Sequence, residues 1–118
     1  AVEINNVADH KDKRGWLCGQ FFPPESHLHT STMEVRYFEL LPGDTDAEHY
    51  HPQGVELVLI LLGKVRWRID GVEHELHSGD YYLSAAQTPE EIVEIIEPCK
   101  GVAVRAPSVS DNKVYINK

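Results

Sequence analysis

The sequence predicts an all-β protein, an antiparallel sandwich or barrel. Runs of β-branched and aromatic residues recur along the chain, turns rich in Gly, Pro and Asp separate them, and no stretch carries a convincing long amphipathic helix. The 118 residues suit one domain spanning 1–118, and 42% hydrophobic residues are enough to build its core.

The elements follow from these signals in order. Residues 15–22 read as a strand that Pro23-Pro24 ends, because proline removes a donor and fixes φ. Residues 26–32 read as a polar loop and 33–42 as an alternating strand. Residues 55–62 are apolar on both faces, so both faces are expected to be covered. Gly63 is expected to end that strand, and 64–70 to return. Asp70-Gly71 is the strongest hairpin signal, leading into an alternating strand over 72–77. Strands follow over 81–85, 91–96 and 101–106, with Pro98 separating the last two, and a short one near 114–116. Residues 88–97 also fit a helix with Pro89 in its first turn, but β-branched residues dominate and favour a strand.

Charge narrows the partners. A formal net charge of −8 argues against duplex nucleic acid, which requires a basic footprint, and against anionic membranes. The longest apolar run, over 57–62, is far too short to span a bilayer. No N-terminal stretch has the make-up of a secretory leader. Cys18 and Cys99 lie far apart and outside any CxxC pair, so both are expected to be reduced, in a cytoplasmic protein.

The chemistry concentrates at residues 48–56. His49 and His51 share a strand face, because side chains at i and i+2 point the same way. The turn Pro52-Gln53-Gly54 resets parity and allows Glu56 to return to that face. Two imidazoles and one carboxylate suit a divalent transition metal with open positions; a polar turn at a sheet edge is the plainer alternative for such a pair. His27 and His29 form a second such pair, in a loop where solvation is the commoner role.

The flanks decide in favour of the metal. Gly43, five residues, His49-Tyr50-His51, four residues, Glu56, six residues and Gly63 match every specified position of the first signature motif of the cupin superfamily. The β-rich stretch from about 34 to 106 is similar to a cupin core. The resemblance implies a double-stranded β-helix, a jelly-roll barrel, holding a divalent metal (Mn, Fe, Ni or Zn) on His49, His51 and Glu56. It also implies a small-molecule substrate or ligand, and a second subunit or N-terminal strand over the outer face, hence a homodimer. The second cupin motif is degenerate here: Ala85 replaces the usual Pro, Gln87 the Gly, Glu90 the fourth-ligand His and Glu94 the Asn. Glu90 is therefore either an oxygen ligand, which would favour a harder ion such as Mn or Fe, or a solvated carboxylate.

Parity sketches a pocket. If Glu56 points inward, so do Val58, Ile60 and Leu62, while Leu57, Leu59 and Leu61 form an outer apolar row that needs a cover. Strand 34–41 offers either Arg36, Phe38 and Leu40 or Val35, Tyr37 and Glu39 to the pocket. Arg36, Arg66 or Arg68 could hold a substrate carboxylate, although surface charge is their commoner role. The expected function is a metal-dependent enzyme of oxygenase, decarboxylase or isomerase type; the alternative is a non-catalytic metal- or ligand-binding sensor.

Overall fold

The β-forming runs of the sequence become strands in the computed structural model, which describes residues 2–116. A 3-10 segment, Val7–Lys13, precedes β1 (Trp16–Cys18), β2 (Glu34–Leu40), β3 (Asp46–Tyr50) and β4 (Val55–Ile69). Then come β5 (Val72–His77), β6 (Tyr81–Ser84), β7 (Glu90–Ala106) and β8 (Val114–Tyr115). All strand pairs are antiparallel: β7 lies between β2 and β4 and also meets β3, while β5 and β6 pair with β4. The result is the double-stranded β-helix expected from the sequence. Among the described residues no helix is long and apolar enough to cross a membrane.

Two expected boundaries are corrected. Gly63 does not end a strand, and Pro98 does not separate two: β4 and β7 each run through. They pair along almost their whole length, with register shifts between Ile60 and Val65. Leu62 lies opposite Lys100, and Lys64 opposite Glu97, so Gly63 faces the extra residues Pro98 and Cys99 of a bulge. Proline is tolerated there because the ladder needs no donor from it. A Cβ on Gly63 would sit 2.2 Å from the Pro98 carbonyl oxygen, and its φ of +100° favours glycine. The glycine and the proline therefore bend two continuous strands. The first strand is shorter than expected, ending at Cys18 rather than reaching Phe22. The 88–97 ambiguity resolves as strand, and the Asp70-Gly71 hairpin forms with positive φ at both residues.

The bend also explains where parity reasoning failed. Glu56, Val58 and Ile60 are buried as expected, but Leu62 is half exposed, because the register shifts beyond Ile60. Val58, Ile60, Val65 and Trp67 from β4 pack with Phe38 of β2 and with Ile92, Ile95 and Cys99 of β7. This apolar core forms the floor beneath the candidate site. On the opposite face, Leu57 pairs with Leu83 and Leu59 with Tyr81. The expected cover there is not supplied by the described residues: Leu61, Tyr81 and Leu83 are exposed, and Leu57 and Leu59 are only half-buried.

Candidate metal centre

Local geometry positions the two histidines. His49 lies on β3 and His51 one residue past its end, and both are buried with their ring centroids 5.3 Å apart. Each ring is fixed from behind. His49 Nδ1 donates to the Ala47 carbonyl at 2.7 Å, and His51 Nδ1 donates to the Asn112 carbonyl at 2.6 Å. A carbonyl only accepts, so both Nδ1 atoms carry hydrogen and a neutral ring presents Nε2 as a lone pair. Both Nε2 atoms face the interior.

Glu90 meets them there. It opens β7, whose register sets it beside His49. Its Oε1 lies 3.2 Å from His49 Nε2 and 3.5 Å from His51 Nε2. Tyr82 donates its hydroxyl to Oε2 at 2.8 Å and so orients the carboxylate. Donor atoms of His49, His51 and Glu90 all lie within 4.8 Å of one another. Glu56 returns to the same place through the Pro52–Gly54 turn, with Oε2 3.5 Å from His51 Nε2. That oxygen also accepts from Arg105 Nε at 2.6 Å, so Glu56 is shared between the cluster and the arginine.

These residues fit a metal ion. Lone pairs of neutral imidazoles and carboxylate oxygens repel one another unless a proton or a cation lies between them. His51 Nε2 and Glu56 Oε1 are buried without any hydrogen-bond partner. Ligand atoms at ~2.1 Å from one ion and at ordinary coordination angles stand roughly 3.0–3.5 Å apart. The observed spacings of 3.2 and 3.5 Å match.

A wider polar network supports the cluster. Arg105 bridges Glu56 to buried Glu34, with Nη1 2.9 Å from Glu34 Oε2. Ser108 Oγ donates to Glu34 Oε1 at 3.0 Å and accepts from the Gln20 backbone N–H at 3.0 Å. A cavity of about 350 Å³ opens beside the cluster, lined by His49, Glu56 and Glu90 together with Phe38, Trp67 and Ile92.

Electrostatics follow from burial. Burial, and then the Glu90 charge, push the Glu56 carboxyl up to about 7. Burial also works against the Glu90 carboxylate, but its contacts with His49, His51, Glu56 and Tyr82 outweigh it and hold that group well below the usual range. Burial pulls the His49 imidazolium down, yet its bonds to Glu90 and Ala47 win and raise it overall. Burial and the two carboxylates keep the Tyr82 phenol protonated, which preserves it as a donor.

The metal-free protein should therefore lose stability as pH rises. Glu56 and His49 both have folded pKa values above their unfolded ones, so their contribution is complete below the unfolded pKa and disappears as pH passes the folded pKa. The Glu56 part spans about pH 4.5 to 7 and is on the order of 3 kcal/mol. A bound metal reverses the slope, because it binds only deprotonated ligands. Melting temperatures from pH 5 to 8, with and without chelator, should diverge; parallel curves would argue against a metal on these groups.

The other sequence candidates lie elsewhere. His27 is exposed, 3.5 Å from Glu3, and His29 Nδ1 donates to the Phe22 carbonyl at 2.7 Å. Arg66 pairs with Glu73 and Glu94, and Arg68 with Glu73 and Glu91. Arg36 lines the cavity with Phe38 and Leu40, which settles the face that strand 34–41 presents. Cys18 and Cys99 are free. Sequence reasoning missed Tyr82, Arg105, Glu34 and Ser108. No motif marks them, and only cross-strand register, Glu56 opposite Arg105 and Glu34 opposite Arg105, brings the charged three together.

Comparison with known proteins agrees with this fold. A family model described as "Cupin domain" matches residues 36–93. No curated protein sequence matches the chain. Among solved structures, an uncharacterised conserved protein with a double-stranded β-helix domain from Klebsiella pneumoniae is 20% identical, with a TM-score of 0.69 over 100% of both chains. A cupin protein from Bacteroides fragilis is 26% identical, with a TM-score of 0.58 over 74% of this chain and 75% of that one. An oxalate decarboxylase from Lactobacillus farciminis, solved as a formate complex, is 17% identical, with a TM-score of 0.62 over 73% of this chain. This chain spans only 27% of that enzyme.

Proposed function

The chain belongs to the cupin superfamily, and from that premise we propose that it is a metal-dependent enzyme acting on a small organic molecule. The observation that carries this reading is the convergence of His49 Nε2, His51 Nε2 and a Glu90 oxygen within 4.8 Å, beside a cavity. His49, His51 and Glu90 would hold the ion, with Glu56 as the remaining carboxylate. Two imidazoles and carboxylate oxygens suit Mn or Fe. When bound, such an ion supplies Lewis-acid or redox chemistry for an oxygenase, decarboxylase or isomerase type of reaction.

The chain's own residues do the rest. Tyr82 fixes the Glu90 carboxylate, and the Ala47 and Asn112 carbonyls fix the imidazole rings. Arg105 restrains Glu56 and limits its rotation. Phe38, Val58, Trp67 and Ile92 give the cavity an apolar wall, which lowers the local dielectric and limits water beside the charged cluster. The oxalate decarboxylase likeness supports the scaffold and leaves the reaction open, since one fold carries many chemistries. The test is elemental analysis of the purified chain, expected to give close to one transition metal per chain, followed by oxygen-consumption and carbonyl-substrate screens. Stoichiometric metal without turnover would favour the sensor reading; no metal would overturn both.

We also propose that a second copy covers the face of Leu57, Leu59, Leu61, Tyr81 and Leu83. A monomer rarely leaves so contiguous an apolar face in water. Leu83 is exposed in the single chain, so Leu83→Glu should leave the monomer fold intact while burying an unpaired charge in the dimer. Light scattering should then read monomer for the variant and dimer for the parent; identical masses would reject the interface. Free Cys18 and Cys99 are in keeping with a reducing, cytoplasmic setting.

A further inference from the structure

The chain carries a surplus of carboxylates, 19 acidic against 11 basic residues, so an arginine has ample opportunity to pair. Three of the five arginines do: Arg66, Arg68 and Arg105 each contact glutamates. Arg14 and Arg36 have no carboxylate within 4.0 Å among the described residues, and both line the cavity beside the candidate metal centre. The other cations of that wall are already neutralised, Arg105 by Glu34 and Glu56, and Lys113 by Asp46 at 3.2 Å.

Arg36 is held in place rather than left to find a partner. Its Nε donates to the Arg14 carbonyl at 2.9 Å, and its guanidinium lies over the Trp16 ring at 5.9 Å from the centroid. Its terminal nitrogens have no hydrogen-bond acceptor among the described residues, and burial followed by the charges of Arg105 and Arg14 depresses its pKa, with Asp46 offsetting part of the shift. The neighbouring guanidiniums of Arg14 and Arg36 disfavour each other's charge unless an anion joins them. A second donor of a cavity-lining residue is equally unsatisfied: Trp67 is buried, and its indole N–H has no hydrogen-bond partner.

We propose that Arg36, supported by Arg14 and the Trp67 indole N–H, binds the carboxylate of a small organic monoanion in this cavity. The inference names the substrate class for the metal-enzyme reading, and rests on that reading only for placing the reacting end of the ligand near the histidines. The guanidinium fork matches a planar carboxylate with two parallel hydrogen bonds. Single charge follows from the remaining wall. Glu90, which has no Lys or Arg partner among the described residues, also lines the cavity, so a dianion would meet more repulsion than a monoanion. Apolar Phe38, Val58 and Ile92 then take the ligand's carbon body.

The test is calorimetric titration of the full chain with benzoate, benzamide and phenylphosphonate, with metal content measured on the same samples. Benzoate and benzamide share a shape and differ in charge. Benzoate should bind at least about tenfold tighter than benzamide, and phenylphosphonate more weakly than benzoate. Arg36→Gln should weaken benzoate by about 10–100-fold, leave benzamide unchanged and leave metal content unchanged. Should that variant not fold, Arg36→Lys keeps the charge but loses the fork, and should weaken benzoate severalfold. Repeating the titration in a metal-free His49→Ala, His51→Ala protein separates the two readings. Benzoate binding that still depends on Arg36 there upholds the anion site even if the metal reading fails. Equal affinity for benzamide, tighter binding of phenylphosphonate, or an Arg36→Gln protein within twofold of the parent for benzoate would overturn it.

Discussion

Replacing both His49 and His51 by alanine is expected to yield a folded protein that holds almost no metal. The two rings supply both neutral nitrogen donors of the cluster, and only carboxylates remain without them. Their loss should weaken transition-metal binding by well over a thousandfold, since imidazole ligands contribute much of the affinity for such ions. Folding is expected to survive because the main apolar core of β2, β4 and β7 is untouched. Elemental analysis gives the metal, and circular dichroism checks the fold. The carboxylates should rank in a definite order. Glu90 lies against both Nε2 atoms, whereas Glu56 Oε2 is already engaged by Arg105. Glu90→Gln should therefore cost more metal affinity than Glu56→Gln. A double-histidine variant that retains stoichiometric metal would place the site elsewhere.

Arg105→Leu is expected to be the most destabilising single change in the polar network. Glu34 and Glu56 are both buried, and both depend on this guanidinium. Removing one partner of a buried ion pair strands the other, at about 3–5 kcal/mol. Total stability for a domain of this size is about 5–15 kcal/mol, so the loss is a large fraction. The melting temperature should fall by about 10 °C or more. Glu34→Gln and Glu56→Gln added to Arg105→Leu should recover part of it, because neutral amides tolerate burial better than stranded charges. Arg105→Lys should fall between, since a single ammonium cannot reproduce the fork that spans both carboxylates. A leucine variant within about 1 kcal/mol of the parent would mean that water reaches this network and that the bridge contributes little.

How much of this was readable beforehand depends on how far apart the interacting residues lie. His49 and His51 are neighbours, so strand parity alone aimed both rings at one place, and the structure has them 5.3 Å apart. Asp70-Gly71 carried its own turn chemistry, and the hairpin formed there. Gly63 and Pro98 were misread as breaks because each is a breaker in isolation. Their role as a bulge exists only when β4 lies against β7. Leu62 was misassigned for the same reason: one shift of register turned it outward.

By itself, then, the sequence determined the all-β class, the paired histidines, the hairpin and the motif that resembles a cupin. These rest on properties of adjacent residues, such as propensity, period and turn preference. Only the tertiary structure decided how Glu90 meets both histidines, and which arginines remain unpaired among the described residues. Glu90 is 41 residues from His49 and reaches it through the pairing of β3 with β7. Arg105 is 49 residues from Glu56 and claims one of its oxygens across β4 and β7. Arg36 was one of three equivalent candidates until register gave Arg66 and Arg68 glutamate partners and turned Arg36 to the cavity. Charge pairing in a folded chain is set by long-range register, which closes only when the whole barrel packs, and short-range pattern carries no record of it.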